Sequence, residues 1–377
     1  MAITSQRARF AIPDDVHYLN CAYMSPLSHA VADAVAAGAR LKQAPWNYKP
    51  ADFFSICESF REKAARLAGV ARDNIAIVPS ASYGLAIAAR NLSLAEGQQV
   101  ITLADQFPSN IYVWRELAQA SGAKVVAVQR DPDAAWTDAV LDAIGPDTGI
   151  VALPHCHWAD GRVVDLVAVG EKCRSVGAAL VLDLTQSLGA MPIDLAAVQP
   201  DFAVAACYKW LMGPYGTAML YVDPKYHQGQ PIEHNWINRG GSEDFARLVD
   251  YRDDFQPGAR RFDMGEKSNP PLMMGASAGL DFLLEFGVEA IAQSLAEQTE
   301  AIASAAPQLG LTAAPIGIRA PHFLALGFPE GVPKGLTERL AEQQVFVSLR
   351  GSSLRVTPHL YNNETDREAL LDTLRAG

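Results

Sequence analysis

Two ionisable side chains stand where apolar, strand-like stretches of the sequence end. Asp183 ends the stretch 178–182, and Lys209 follows the stretch 201–208 directly before a turn rich in glycine and proline. A lysine at such a position is most often exposed, but an amine aimed into a cleft forms a Schiff base with a carbonyl compound. A nearby carboxylate would keep a pyridinium nitrogen protonated, so this pair meets the requirement of pyridoxal phosphate chemistry.

A turn containing two serines provides a candidate phosphate site. Ser80, Ala81 and Ser82 lie between a strand-like stretch at 75–78 and a helical pattern at 82–91. The unpaired N–H groups of a helix start and the Ser82 hydroxyl would bind a phosphate, although a plain serine N-cap explains the same residues. The sequence has neither a G-x-G-x-x-G nor a Walker-type loop, which disfavours a nicotinamide or nucleoside triphosphate ligand.

Two more turns that follow strand-like stretches carry aromatic residues. Phe107 would stack on a heteroaromatic ring, although a core aromatic beside a proline turn is the alternative. Trp158 follows His155 and His157, which share one face of a strand. No third ligand stands at a suitable spacing, so the sequence predicts no metal site.

These turns occur in the order in which a large family places its cofactor ligands. The most specific pieces are Ser-Ala-Ser at 80–82, Asp-x-x-Gln at 183–186 and Tyr-Lys-Trp-Leu-x-Gly-Pro-x-Gly at 208–216. The sequence resembles the class V aminotransferase superfamily of fold-type I pyridoxal phosphate enzymes, which includes cysteine desulfurases, kynureninases and isopenicillin N epimerase-like proteins. The resemblance runs from residues 18–22 to residues 361–362.

The resemblance implies roles for individual residues. Lys209 would form the Schiff base with pyridoxal 5′-phosphate and then move the Cα proton, and Asp183 would pair with the pyridinium nitrogen. Tyr208 replaces the His of desulfurases, and Trp158 replaces an Asn that desulfurases often have near the ring oxygen. The full implied cofactor set is Ser80, Ala81, Ser82, Phe107, Trp158, Asp183, Gln186, Tyr208, Lys209, Ser268 and Asn269. The last two would reach the phosphate in a neighbouring subunit.

The resemblance also implies a substrate side. Arg355 would bind the substrate carboxylate, because a planar guanidinium binds a carboxylate through two hydrogen bonds; a surface arginine at a strand edge is the alternative. Asn20, Trp46 and Tyr48 are the further substrate candidates. A desulfurase needs a nucleophilic cysteine before this arginine, and residues 346–355 contain none.

The absence of this cysteine disfavours desulfuration but does not decide among the other reactions of the family. Without that cysteine, transamination, β-elimination or C–S lysis, kynureninase-like cleavage and epimerisation remain. Epimerisation needs an acid or base on the face opposite Lys209, and none is identified. We predict aminotransferase-type chemistry on an α-amino acid, with a lyase second; a non-catalytic protein of this fold is disfavoured by the combination of Ser82, Asp183 and Lys209.

The elements that must position these residues are predicted from periodicity. Short apolar stretches alternate with helical patterns through the first two thirds of the chain, which predicts an α/β fold with a mostly parallel sheet covered by helices on both faces. Ligands of such sheets bind beyond the carboxyl ends of the strands. We expect a large cofactor-binding domain at 15–255 and a smaller C-terminal α+β domain at 256–377, with segment 1–14 packing nearby and one long helix over 272–305.

Composition limits the partners. The 377 residues carry a net charge of −11 with 49% hydrophobic and 19% charged residues, which indicates a well-packed globular protein and argues against nucleic acid or an anionic membrane as a partner. Five cysteines without a Cys-x-x-Cys pair are typical of a reducing compartment. With no signal peptide or membrane span in the sequence, we expect a cytoplasmic homodimer that acts on a small amino acid, with its cofactor site near the subunit interface.

Overall fold

The computed structural model describes residues 3–376. Its helices are α1 (His29–Leu41), α2 (Asp52–Ala68), α3 (Ala81–Asn91), α4 (Tyr112–Ser121), α5 (Thr137–Ala143), α6 (Leu166–Val176), α7 (Leu195–Val198), α8 (Pro270–Phe286), α9 (Val288–Ala303), α10 (Leu336–Glu342) and α11 (Glu364–Arg375). Its strands are β1 (His17–Tyr18), β2 (Ile75–Val78), β3 (Gln99–Leu103), β4 (Lys124–Val128), β5 (Thr148–Pro154), β6 (Ala179–Asp183), β7 (Phe202–Ala206), β8 (Ala218–Val222), β9 (Thr312–Ala313), β10 (Leu324–Gly327), β11 (Val345–Phe346), β12 (Ser348–Arg350) and β13 (Ser353–Val356).

A seven-stranded sheet forms the centre of the molecule, with the strand order β2-β8-β7-β6-β5-β3-β4. The neighbouring pairs from β7 to β4 are all parallel, and only β8 runs antiparallel to its neighbours β2 and β7. The predicted mostly parallel α/β fold is therefore confirmed.

Helices cover both faces of this sheet, and strand β7 shows why. Ala203 and Ala205 belong to the hydrophobic cluster on one face, whereas Phe202 and Val204 belong to the cluster on the other. Because successive side chains of a strand point to opposite faces, a strand buried on both sides is apolar at every position. The same composition explains the uninterrupted apolar stretch that precedes Lys209.

A four-stranded antiparallel sheet, β12-β13-β10-β9, forms the C-terminal part of the fold. A third hydrophobic cluster packs against it and includes Leu354 and Val356. Near the N-terminus, the Gln6 N–H donates to Leu360 O at 2.7 Å, and Arg7 pairs with Asp366. The predicted domain limits stay a prediction. They assign α8 to the small domain, although this helix packs on α1 and α2 of the large one. Residues 1, 2 and 377 lie outside the described part of the chain.

The expectation of one helix over 272–305 is wrong, because the chain breaks at Gly287. This residue has φ +79° and ψ 141°, a backbone conformation that a residue with a Cβ rarely adopts. Helix α8 ends before Gly287, and α9 begins after it at an angle of 79°. Within residues 3–376 no single helix is long and apolar enough to cross a membrane. The bent pair α8–α9 has the length and composition of a membrane span, but both helices contribute side chains to the buried core.

Candidate active site

A cavity of about 220 Å³ opens at the carboxyl ends of β5, β6 and β7. This is the place where parallel sheets of α/β proteins bind ligands. The predicted cofactor residues that line it are Ser80, Ala81, Ser82, Phe107, Trp158, Asp183, Gln186, Tyr208 and Lys209. The structure thus brings together residues that are up to 129 positions apart in the sequence.

Lys209 is the central amine of this cavity. Its residue is only 6% exposed, and its Nζ lies 5.5 Å from the centre of the Phe107 ring and 5.4 Å from that of Tyr208. Burial lowers the pKa of Lys209 to about 8, although the Asp183 carboxylate acts in the opposite direction. A larger fraction of the amine is therefore neutral near physiological pH than in an exposed lysine, which is the form that attacks a carbonyl.

The turn after β7 holds the Lys209 backbone in place. The Cys207 N–H donates to Thr217 O at 2.9 Å, and the Gly213 N–H donates to Cys207 O at 2.8 Å. Gly216 has φ +92°, so a glycine is needed where the chain turns back toward β8. The Ser25 N–H donates to Tyr208 O at 3.0 Å from the N-terminal part of the chain.

Asp183 reaches the same cavity from the end of β6. Its Oδ1 accepts the Thr185 N–H at 3.0 Å. Burial raises the pKa of Asp183, an effect that the hydrogen bonds of Thr185 and the nearby Lys209 partly oppose. A protonated pyridinium nitrogen beside this carboxylate would supply the positive partner that a buried acid requires.

The opposite end of the cavity is the N-terminus of α3. Ser80 is its N-cap, because the Ser80 hydroxyl accepts the Tyr83 N–H at 3.2 Å. The Ser82 hydroxyl lies 2.9 Å from the Ser80 hydroxyl, inside the first turn. The plain capping interaction thus belongs to Ser80, while the first N–H groups of the helix and the Ser82 hydroxyl remain to bind an anion.

Aromatic side chains form the walls. Phe107 meets Trp158 edge to face at 5.6 Å, and Tyr208 lies 4.5 Å from Tyr215. The Trp158 indole N–H donates to Asp105 O at 2.7 Å, so Trp158 offers the cavity its ring rather than a hydrogen-bond donor. The space between these rings suits a flat heteroaromatic group.

Gln186 lines the cavity but is mostly engaged by the protein. Its Nε2 donates to Ala22 O at 3.2 Å, and its Oε1 accepts the Trp210 indole N–H at 3.0 Å. One amide N–H is left for a ligand, so the predicted contact with the cofactor rests on that hydrogen atom alone.

Arg355 lies behind Trp158 and is 2% exposed. Its Nη1 donates to Trp158 O at 3.0 Å, and its Nη2 donates to the Ser348 hydroxyl at 3.4 Å. The Ser348 hydroxyl in turn donates to Asn20 Oδ1 at 2.9 Å, which connects two of the predicted substrate residues. Burial and the neighbouring Arg350 lower the pKa of Arg355 to about 10, so the guanidinium keeps its charge at neutral pH.

The structure does not bring every predicted residue to the cavity of the described chain. Trp46 lies in an exposed turn, and Tyr48 packs edge to face against Phe53 with its hydroxyl on Asp52 O. Asn269 is the exposed N-cap of α8, preceded by the half-buried Ser268. None of these four residues lines the cavity, because each lies in a turn or helix start away from the carboxyl ends of the strands. Asn20 and Arg355 do not line it either; Arg355 reaches its wall through the hydrogen bond to Trp158 O.

Among the cavity residues that the sequence did not single out, two carry unpaired polar atoms. The Gln106 Nε2 and Thr217 Oγ1 atoms are buried and have no hydrogen-bond partner within residues 3–376. Buried polar atoms are almost always satisfied, so a polar ligand is expected beside them. Together with the Ser82 hydroxyl, the Asp183 carboxylate and the Lys209 amine they form a set of polar groups that fits pyridoxal 5′-phosphate. Gln106 stands next to Phe107 in the sequence, the one signal that could have found it.

The chain matches a family model and several curated relatives. The model described as Aminotransferase class-V matches residues 48–375. An uncharacterized aminotransferase, YcbU of Bacillus subtilis, is 29% identical over 94% of this chain and 91% of its own length. A kynureninase of Burkholderia mallei is 28% identical over 78% of this chain and 71% of its own length. A probable cysteine desulfurase of Methanothermobacter thermautotrophicus is 25% identical, with 83% and 82% covered.

Solved structures share the fold. A mutant of C-DES with glycine covalently linked to the PLP cofactor superposes with a TM-score of 0.85 at 20% identity, and 99% of each chain is covered. The apo structure of a cysteine desulfurase from Thermococcus onnurineus gives a TM-score of 0.83 at 18% identity, covering 100% of this chain and 99% of the other. At these identities the comparison supports the fold-type I architecture and nothing finer.

Proposed function

The chain belongs to the aminotransferase class-V family, and on that premise we propose that it uses pyridoxal 5′-phosphate to transfer the amino group of an α-amino acid. The observation that carries the proposal is the position of Lys209, a buried amine with a lowered pKa that shares its cavity with the Asp183 carboxylate. When bound, the cofactor supplies an electron-accepting ring that stabilises negative charge developing at the substrate Cα.

Different residues of the cavity would bind different parts of the cofactor and act on the substrate. Asp183 would keep a proton on the ring nitrogen, and the start of α3 with Ser82 would hold the phosphate. Phe107 would cover the ring and exclude water from it. Lys209, once released by the substrate, would take the proton from Cα, for which an amine with a pKa near 8 is well suited.

The state of the cysteines supports this choice over desulfuration. All five are buried: Cys21, Cys57, Cys156, Cys173 and Cys207. Burial raises the pKa of each thiol. Since the thiolate is the nucleophile in persulfide formation, none of these side chains is prepared for it.

A lyase reaction is the second candidate, because kynureninases are among the relatives that cover 78% of this chain. The two reactions send the amino nitrogen to different places. Association into a homodimer and a cytoplasmic location stay predictions of the sequence.

The deciding experiment follows the nitrogen. Purified protein with added pyridoxal 5′-phosphate is incubated with ¹⁵N-labelled amino acids, each with and without an unlabelled keto acid. We expect ¹⁵N in the amino acid formed from the added keto acid, and no signal with Lys209→Ala. Labelled ammonia, or labelled alanine from a larger amino acid, formed without a keto acid would replace the transferase proposal with the lyase, and no turnover of any amino acid would remove both.

A further inference from the structure

Arg350 and Arg355 lie on one face of the small sheet. Ser348 pairs with Arg355, and Arg350 pairs with Ser353, in the antiparallel β12–β13 ladder. Because residues two positions apart on a strand share a face, Ser348, Arg350, Ser353 and Arg355 all project to the same side. The two arginines are therefore diagonal neighbours, within reach of one another's long side chains.

Both guanidinium groups meet Trp158, which lines the cavity that contains Lys209. Arg355 donates to the Trp158 carbonyl, and the Arg350 Cζ lies 5.6 Å from the centre of the Trp158 ring. Both positive charges also act to lower the pKa of Lys209. The two arginines thus contact a wall residue of the cavity without lining the cavity themselves.

Neither arginine has an acidic partner within 4.0 Å in the described part of the chain. Three arginines with buried side chains do have one, since Arg61 pairs with Asp263, Arg260 with Glu58 and Arg319 with Glu300. The contrast sets the buried Arg355 apart, and its half-buried neighbour Arg350 also lacks an acid.

The hydrogen-bonding of the two side chains is also incomplete. The Nε atoms of both are buried and without a partner among residues 3–376. The Arg350 Nη1 donates only to the carbonyl of the preceding Leu349, at 2.8 Å. Arg355 is buried and Arg350 is half-buried beside it. A desolvated cation without an anion is unfavourable unless a ligand brings negative charge to it.

One substrate carboxylate satisfies one guanidinium. If Arg355 takes the α-carboxylate, as expected for the proposed function, Arg350 still lacks an anion. We propose that Arg350 binds a second acidic group on the substrate side chain, so that the enzyme acts on dicarboxylic amino acids of the size of aspartate or glutamate. This inference rests on the proposed function for the identity of the site, but the binding of a diacid can be measured without turnover.

The first test compares each acid with its isosteric amide. We expect wild-type kcat/KM to favour aspartate over asparagine, or glutamate over glutamine, by about 100-fold, the size of effect seen when one partner of a desolvated charge pair is removed. In Arg350→Gln this ratio falls toward one. Arg350→Lys keeps the charge without the fork and gives an intermediate ratio, and Arg90→Gln, an exposed arginine on α3, keeps the wild-type ratio.

The second test needs no reaction. Calorimetric titration of the cofactor-loaded protein with glutarate and with its monoamide, glutaramate, reports recognition of the second acid directly. Tighter binding of glutarate by wild type, lost in Arg350→Gln, supports the inference even if no amino group is transferred. Equal binding of the two compounds, no measurable binding of glutarate, or turnover of neutral amino acids as fast as acidic ones overturns it. Thermal unfolding of each variant confirms that it is folded.

Discussion

Asp183 and Lys209 stand at the ends of neighbouring parallel strands, with Asp183 paired to Val204 in the β6–β7 ladder and Lys209 five residues after Val204. The acid and the amine therefore enter one cavity from the same edge of the sheet, although 26 positions separate them in the sequence. The Asp183 carboxylate acts to raise the pKa of Lys209, and the Lys209 amine acts to lower the pKa of Asp183. Burial acts in the opposite direction on each, because it disfavours both charged forms.

Lys209 is expected to be the only lysine that binds the cofactor covalently. Borohydride reduction of the protein with pyridoxal 5′-phosphate should attach one pyridoxyl group per chain, on the peptide containing Lys209. Lys209→Ala should lose both this modification and activity, whereas Lys124→Ala, a change at an exposed position of β4, should keep them. Peptide mass spectrometry checks the site, and modification of another lysine in wild type would contradict the assignment.

The rate at which cofactor-free protein captures the cofactor should depend on pH through Lys209. Only the neutral amine attacks, so the rate should rise with pH through about 8 and level off above it. Asp183→Asn removes a charge that raises the pKa of Lys209, so its midpoint should move to lower pH. Stopped-flow absorbance between pH 6 and 10 measures both profiles, and an unchanged midpoint in the variant would exclude the coupling.

Asp183 should matter for rate more than for folding. Asp183→Asn keeps the size of the side chain but not its charge, and the loss of a charged hydrogen bond is worth roughly 1.5–3 kcal/mol. We expect kcat/KM to fall by about 10- to 150-fold with little change in the urea midpoint of the cofactor-free protein. A large loss of stability without a loss of rate would mean that Asp183 has a structural role only.

Ser80 and Ser82 should separate capping from phosphate binding. Ser80→Ala removes the hydroxyl that accepts the Tyr83 N–H and should lower the free energy of unfolding by about 1 kcal/mol. Ser82→Ala leaves this cap intact and should weaken cofactor binding with a stability change of less than about 0.5 kcal/mol. Urea unfolding of the cofactor-free variants and cofactor titrations give the two quantities, and equal destabilisation by both changes would refute the assignment.

A buried ion cluster beneath β2 should stabilise the protein at neutral pH and cease to do so in acid. The Asp263 carboxylate contacts Arg61 and Lys267 at 2.7 Å each and accepts the Ile77 N–H at 2.7 Å. Burial acts to raise the pKa of Asp263, but the two cations outweigh it and lower the pKa. The stabilisation is therefore present above the unfolded value of about 3.9 and is lost as pH falls through the lower folded value.

Asp263→Asn should cost about 3–5 kcal/mol, because it leaves the buried Lys267 without an anion and Arg61 with Glu58 alone. Asp372→Asn, which breaks an exposed ion pair with Arg375, should cost less than about 1 kcal/mol. Urea unfolding at pH 7 compares the two variants. Similar midpoints would show that the cluster contributes no more than a surface pair does.

Much of the site was open to prediction because its residues follow strands. Asp183 and Lys209 end apolar stretches, and parallel strands bring their carboxyl ends to one edge. Periodicity alone also fitted an exposed lysine, and the resemblance to the class V aminotransferase superfamily decided between the two. Gly287 shows the limit of such patterns, since apolar residues at helical spacing continue across a residue whose backbone ends the helix. The amide of Gln186 shows another, because its partners Ala22 and Trp210 lie far apart in the chain.

The sequence by itself determined the fold class, because strand composition is a local property. Its resemblance to the class V aminotransferase superfamily identified the Schiff-base lysine proposed here and its acid. Only the tertiary structure decided which charges are paired. Arg350 resembles any other arginine in the sequence, and the face that it shares with Arg355 depends on the β12–β13 register. The missing anion could be recognised only once every acid in the described chain had a position, since an ion pair depends on distance in space and not on separation along the chain.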